Sequence, residues 1–118
     1  MKRARTSRMR KVNELMREVI ADEVATLKDP RLGFVTITDV RTSPDLRRAT
    51  VFFSVLDEAD QEGTAAALTA AHSRIQRAIA SQAHLKYTPV LEFRVDEALE
   101  RGLRISKLLH EMEDEADE

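Results

Sequence analysis

Apolar positions recur at three- and four-residue steps in three parts of the chain and alternate in three others. Met9, Val12, Leu15, Met16, Val19, Ile20, Val24 and Leu27 fit a helical period. Thr6 or Ser7 is placed to cap that helix, and Lys28-Asp29-Pro30 ends it, because the residue before proline avoids helical angles. Gly33 leads into Phe34-Val-Thr-Ile-Thr-Asp-Val40, a β-branched run. A turn at Thr42-Ser43-Pro44-Asp45 separates it from Arg48–Leu56, where Val51, Phe53 and Val55 alternate with Thr50, Phe52 and Ser54. Two strands so close in sequence predict an antiparallel hairpin. Phe34, Phe52 and Phe53 are expected in the core or on a sheet face.

Between Thr64 and His84, Leu68, Ala71, Ile75, Ala78, Ile79 and Gln82 mark a second helical face, built mostly from small residues. His72-Ser73 interrupts it, and a serine hydroxyl can turn to the backbone and loosen a helix. A connector, Leu85–Pro89, precedes Val90-Leu-Glu-Phe-Arg-Val95, whose Leu91, Phe93 and Val95 share one side. A strand reached through a helical crossover can lie parallel to its neighbour. Ala98 to Met112 has helical character from Leu99, Leu103, Leu108, Leu109 and Met112, interrupted at Gly102. The acidic residues after it are expected to be disordered. The sum is an α+β domain, α-β-β-α-kink-α-β, with a three-stranded sheet covered by helices on one face. Residues 1–97 form the domain, with a basic arm at 1–6, and residues 98–118 a helical extension and acidic tail.

At 118 residues one domain is expected. The chain has no cysteine, which excludes disulfides and thiolate metal sites and suits a reducing cytoplasm. No apolar run approaches the roughly 20 residues that cross a bilayer, and no apolar region follows the basic start, so neither a membrane partner nor a secretory signal is expected. The net charge of −2 conceals an asymmetry. Lys2, Arg3, Arg5, Arg8, Arg10 and Lys11 open the chain without an acid, whereas Glu111, Glu113, Asp114, Glu115, Asp117 and Glu118 close it without a base. A positive body with an acidic tail points to an anionic partner, and the tail could compete with that partner for the basic arm.

Catalytic chemistry finds little support. His72, His84 and His110 are spread too widely for one metal. His72 and Ser73 could suggest a base and nucleophile, but adjacent helical positions are expected to diverge and no orienting acid accompanies them. The three glycines are isolated, so no phosphate-cradling loop is possible. Asp57, Glu58, Asp60 and Glu62 lack the EF-hand pattern and suit a helix start. No cofactor, metal or small-molecule substrate is expected. For nucleic acid the resources are the N-terminal cluster, then Arg41, Arg47 and Arg48 near the turn, Arg74 and Arg77 after the kink, and Lys86 beside Tyr87. The alternative is a protein-interaction module docking through the amphipathic helix Ala98–Met112.

Asp29-Pro-Arg-Leu-Gly33, the Val-Thr-Ile-Thr-Asp-Val run, Asp45-Leu46 in the turn, Thr88-Pro-Val-Leu-Glu-Phe93, Asp96 and Gly102-Leu-Arg-Ile-Ser-Lys-Leu108 together resemble the ribosome-binding factor A family. The resemblance runs in order over about residues 5–109. It implies a type II KH-like fold and a non-catalytic, cytoplasmic assembly factor of the bacterial small ribosomal subunit. Such a factor binds free immature 30S subunits and their 16S rRNA as a monomer. It supports late maturation, including 5′-end processing, and growth in the cold. The family's Ala-x-Gly interhelical kink falls on Ala71, His72 and Ser73, with serine in place of glycine. The arginine often found beyond the kink falls near Gln76, flanked by Arg74 and Arg77.

Overall fold

A computed structural model describes residues 2–116, with side chains from Ser7 onward. Helix α1 spans Lys2–Val24, strand β1 Val35–Thr42 and strand β2 Arg48–Val55. Helices α2 (Gln61–Ala70) and α3 (His72–Gln82) follow, then strand β3 (Val90–Val95) and helix α4 (Glu97–Ala116). The sheet order is β1-β2-β3, with β1 antiparallel and β3 parallel to β2. This is the expected α+β, type II KH-like arrangement.

The core lies between the sheet and the helices α1, α2 and α3. Met16 and Ile20 of α1, Val51 and Phe53 of β2, Leu68 of α2, and Ile75 and Ile79 of α3 are all fully buried. Alternation in β2 places Ala49, Val51, Phe53 and Val55 inward, as its pattern predicts. In β1 strict alternation would direct Asp39 into the core. A bulge at Thr38 shifts the register instead, so Ile37 and Val40 are both buried and Asp39 is spared. The displaced Thr38 donates its hydroxyl to Asp96 at 2.7 Å, which links β1 to the end of β3.

Two close approaches hold the linkers down. The Gly33 N–H donates to the buried Thr64 hydroxyl at 3.1 Å. A Cβ at Gly33 would lie 2.6 Å from an Asp60 carboxylate oxygen, so glycine there answers to space. In the preceding loop, the Arg31 side chain and backbone N–H both bond Asp29, and they hold its carboxyl down to about 2. Asp57 accepts the Ala59 N–H and caps a single 3-10 turn ahead of α2, in keeping with a helix start.

Several expectations are revised. Helix α1 begins at Lys2, so Thr6 and Ser7 lie within it and residues 2–6 continue the helix, where an arm was expected. Phe34 sits before β1, 84% exposed, and belongs to neither the core nor a sheet face. Gly102 does not interrupt α4, because an isolated glycine costs an exposed helix only about 1 kcal/mol. The acidic residues Glu111, Glu113, Asp114 and Glu115 continue α4 to Ala116 and are not disordered. Nothing after Gly102 in that stretch is a helix breaker, and glutamate has good helical propensity.

Candidate nucleic-acid interface

The turn between β1 and β2 is built by its own polar side chains. Ser43 donates its hydroxyl to Asp45 at 2.6 Å, and the same carboxylate oxygen accepts the Arg47 N–H at 3.1 Å. These two bonds hold the Asp45 carboxyl below its usual range, the Ser43 bond contributing most. Leu46 adopts φ 61, a left-handed conformation that costs a leucine about 1–2 kcal/mol. The result is a firm loop that presents Arg47 and Arg48 outward, both exposed.

Two neighbours converge on this loop. Asn13 of α1 accepts the Thr42 N–H at 3.0 Å, which brings the first half of α1 alongside. Between them lies an open hollow of about 1040 Å³, lined by Arg8, Arg10, Asn13, Asp45 and the apolar Met9, Val12 and Leu46 among others. On the other side, Val90 at the start of β3 donates its N–H to the Arg47 carbonyl at 2.9 Å. That contact draws in the connector before β3. The Arg47 guanidinium stands 4.7 Å from the centre of the Tyr87 ring, and the Lys86 ammonium 5.4 Å. Arg8, Arg10, Arg47, Arg48 and Lys86 therefore share the end of the molecule built around this turn, with Arg47 and Lys86 over the Tyr87 ring. Among the described residues none of them forms an ion pair, so their donors face solvent. Lys11 is exposed on the same stretch of α1. Lys2, Arg3 and Arg5 lie outside the described side chains.

Arg74 and Arg77 are elsewhere. Arg74 donates to Glu23 at 2.6 Å and to the Thr26 hydroxyl at 2.8 Å, at the far end of α1. Fifteen positions along a helix separate Glu23 from Arg8, roughly 22 Å. Arg74 thus clamps α3 to α1, and its position puts it with the scaffold. Arg77 is exposed and lines a shallow hollow with Ser73, Gln76, Ala80 and Thr88. Gln76, near which the family's arginine falls, donates to the Pro89 carbonyl at 2.9 Å and ties α3 to the connector entering β3.

The kink forms at Ala71, whose φ of −90° and ψ of 4° leave the helical region. The chain resumes at once, with Ile75 N–H donating to the Ala71 carbonyl at 3.0 Å. Ser73 already lies inside α3, and neither it nor its neighbours have positive φ, so no glycine is required for the bend. The Ser73 hydroxyl does not turn to the backbone. It lies 3.2 Å from His72 Nε2, contrary to the expected divergence of the two side chains. His72 Nδ1 lies 2.7 Å from the Thr69 carbonyl, which can only accept, so Nδ1 carries a proton. The orienting group is a backbone carbonyl, both residues are exposed, and no carboxylate bonds the ring.

The proximity of Arg47 to Tyr87 was not legible in the sequence, where 40 positions separate them. The parallel register of β3, which pairs Arg48 with Val90, creates it.

Comparison with known proteins agrees with this architecture. Residues 8–109 match the family model described as ribosome-binding factor A. The chain belongs to that family. Ribosome-binding factor A of Rubrobacter xylanophilus is 46% identical over 110 residues, covering 92% of this chain and 90% of that protein. The Thermodesulfovibrio yellowstonii ribosome-binding factor A is 40% identical over 112 residues, covering 94% and 95%. The crystal structure of ribosome-binding factor A from Thermus thermophilus superposes with a TM-score of 0.68 at 30% identity, over 74% of this chain and 94% of that one. A homology model of the Thermus thermophilus ribosome-binding factor A, fitted into a cryo-EM map of a 30S complex, is similar with a TM-score of 0.60 at 32% identity, over 70% and 89%. The matched region includes the turn, the kink and the connector before β3.

Proposed function

We propose that the protein is an assembly factor of the small ribosomal subunit that binds free, immature 30S particles as a single copy through 16S rRNA. The observation that carries the reading is the set of Arg8, Arg10, Arg47, Arg48 and Lys86 gathered at one end of a family member, none of them in an ion pair among the described residues and with Asp45 the one acid lining the hollow beside them. A relative of the same fold fitted into a 30S complex supports it. Guanidinium forks suit phosphate oxygens, and fixed turns position them on folded RNA without reading sequence. Tyr87, 40% exposed beside Arg47, offers a face on which a base can stack. The action is binding without chemistry of its own, in the cytoplasm. It favours a late step of 16S maturation, including 5′-end processing, and growth in the cold. Within the described residues no helix is long and apolar enough to cross a membrane. Lys2, Arg3, Arg5, Lys11 and Arg77 add positive charge around this centre, and Arg74 supports it from behind.

Phosphate contacts release counterions, so affinity must fall with salt. With about four contacts, binding to free small subunits should weaken about a hundredfold between about 50 and about 200 mM salt. Affinity that stays level across that range contradicts the mechanism.

A further inference from the structure

The hollow between α1 and the β1–β2 turn has a lining that charge alone does not explain. Met9 and Val12 of α1 meet Pro44 and Leu46 of the turn there, around about 1040 Å³ of open space, the scale of a small-molecule site. Met9, Val12 and Asn13 stand at i, i+3 and i+4, so one helix face supplies both an apolar wall and an amide. Leu46 lines the turn side from its left-handed backbone, and strain of that kind collects where ligands are clamped. Arg8 and Arg10 line the hollow as well, and neither forms an ion pair among the described residues.

Two polar side chains in this lining are each held by one atom and open at the other. Asn13 Oδ1 accepts the Thr42 N–H, which orients the amide and leaves Nδ2 as a donor. Asp45 Oδ1 accepts both the Ser43 hydroxyl and the Arg47 N–H, and those bonds keep the carboxyl ionised. Among the described residues Asp45 Oδ2 and Asn13 Nδ2 bond no other residue. We propose that the hollow receives one unpaired guanine of an RNA strand, a site that rests on the RNA-binding reading above. The apolar walls suit the faces of an unstacked base, the form in which single-stranded RNA is read. Guanine alone among the four bases sets two N–H donors, N1 and N2, side by side on one edge. Asp45 Oδ2 has two lone pairs for them, and Asn13 Nδ2 donates to the neighbouring O6. Adenine, cytosine and uracil each place an acceptor beside their donor, which a carboxylate repels. Arg8 and Arg10 suit the flanking phosphates. A free nucleoside triphosphate fits less well, because no glycine loop lines the hollow to cradle its phosphates.

NMR titration of the intact, isotope-labelled protein with the RNA tetramers UUGU and UUAU tests this. UUGU should bind at least about fivefold tighter, the least that a well-made pair of base contacts is worth, and should shift the backbone amides of Met9, Val12 and Leu46. Asp45→Asn keeps an oxygen for Ser43 and Arg47 but turns the open acceptor into a donor, so the preference should vanish or reverse. Asn13→Asp keeps the oxygen for Thr42 and removes the amino donor, and should lower the preference as well. Both variants should melt close to the parent, whereas a role in holding the turn alone would change melting and leave base preference untouched. GMP should shift the same amides more weakly than UUGU, and GTP binding more tightly than UUGU would overturn the assignment to RNA. No binding of UUGU, equal affinity for the two tetramers, shifts that bypass those three amides, or an unchanged preference in Asp45→Asn overturns the guanine site. None of these results alters the salt-dependent binding of free small subunits, whose own failure would instead sink the RNA-binding reading.

Discussion

Arginine chemistry alone does not separate Arg47 from Arg74; what each guanidinium already touches does. Arg74 bonds the Glu23 carboxylate of α1 and the Thr26 hydroxyl just beyond it, whereas the Arg47 guanidinium lies over the Tyr87 ring and forms no ion pair among the described residues. The two should therefore respond differently to truncation. Arg47→Ala removes a phosphate donor and is expected to cost small-subunit affinity at least about tenfold with little change in thermal stability, since a hydrogen bond to a charged group is worth about 1.5 kcal/mol or more. Arg74→Ala removes a half-exposed clamp, which solvent screening limits to under about 1 kcal/mol, and should leave affinity within about twofold. Parallel binding and melting measurements check both, and equal losses of affinity would return Arg74 to the interface. At this scale the sequence named the right residue types, since clusters of arginine without acids are visible by eye. It did not show which had partners, because Glu23 and Thr26 lie some fifty positions from Arg74. Ser73 teaches the same lesson: its difference from glycine stands out in sequence, yet the bend is made by Ala71, where any residue fits φ −90°.

The elements were legible to the extent that their periodicity was. Helix α1, both hairpin strands and β3 follow apolar patterns that burial repeats closely. The bulge at Thr38 was not, because period-two counting has no term for one inserted residue. The end of α4 was not legible either, since acidic composition signals solvation equally well in a helix or a coil. Its continuation changes the expected role of the acids. α4 starts beside Val95, paired with Phe53, while the basic turn lies at the other end of the eight-residue strand β2, roughly 20 Å or more away. From Glu100 near Ser54 the helix passes Lys107 near Leu56 and continues outward. At about 0.1 M salt the Debye length is about 10 Å, so the acids barely sense the basic end of their own chain. Intramolecular competition with RNA is accordingly not supported. Removing Glu111 to Glu118 should change affinity for unrelated RNA by less than about twofold at that salt, measured by direct titration. A several-fold increase would reinstate the competition.

The whole molecule is a thin plate, 59 × 41 × 17 Å, with the basic turn and helix α4 at opposite ends of the sheet. One end gathers positive charge around Tyr87 on a turn fixed by Ser43, Asp45 and a left-handed Leu46. The other carries α4, whose Leu103, Ile105, Leu108, Leu109 and Met112 are all exposed. The order α-β-β-α-kink-α-β was foreseeable from patterns in the chain, and the family from motifs spread along it. The convergence of α1, the turn and the connector before β3 was not, because parallel pairing across a helical crossover brings distant segments together without any local signal. The proposed role of the basic end is to seat the protein on immature small subunits. Gradient sedimentation of cell extract in low salt tests it most directly, comparing the intact protein with Arg47→Ala/Arg48→Ala. The intact protein should travel with free small subunits and be absent from polysomes, and the double variant should shift to the top of the gradient. Distribution of the intact protein across polysomes, or unchanged co-migration of the double variant, would contradict the account.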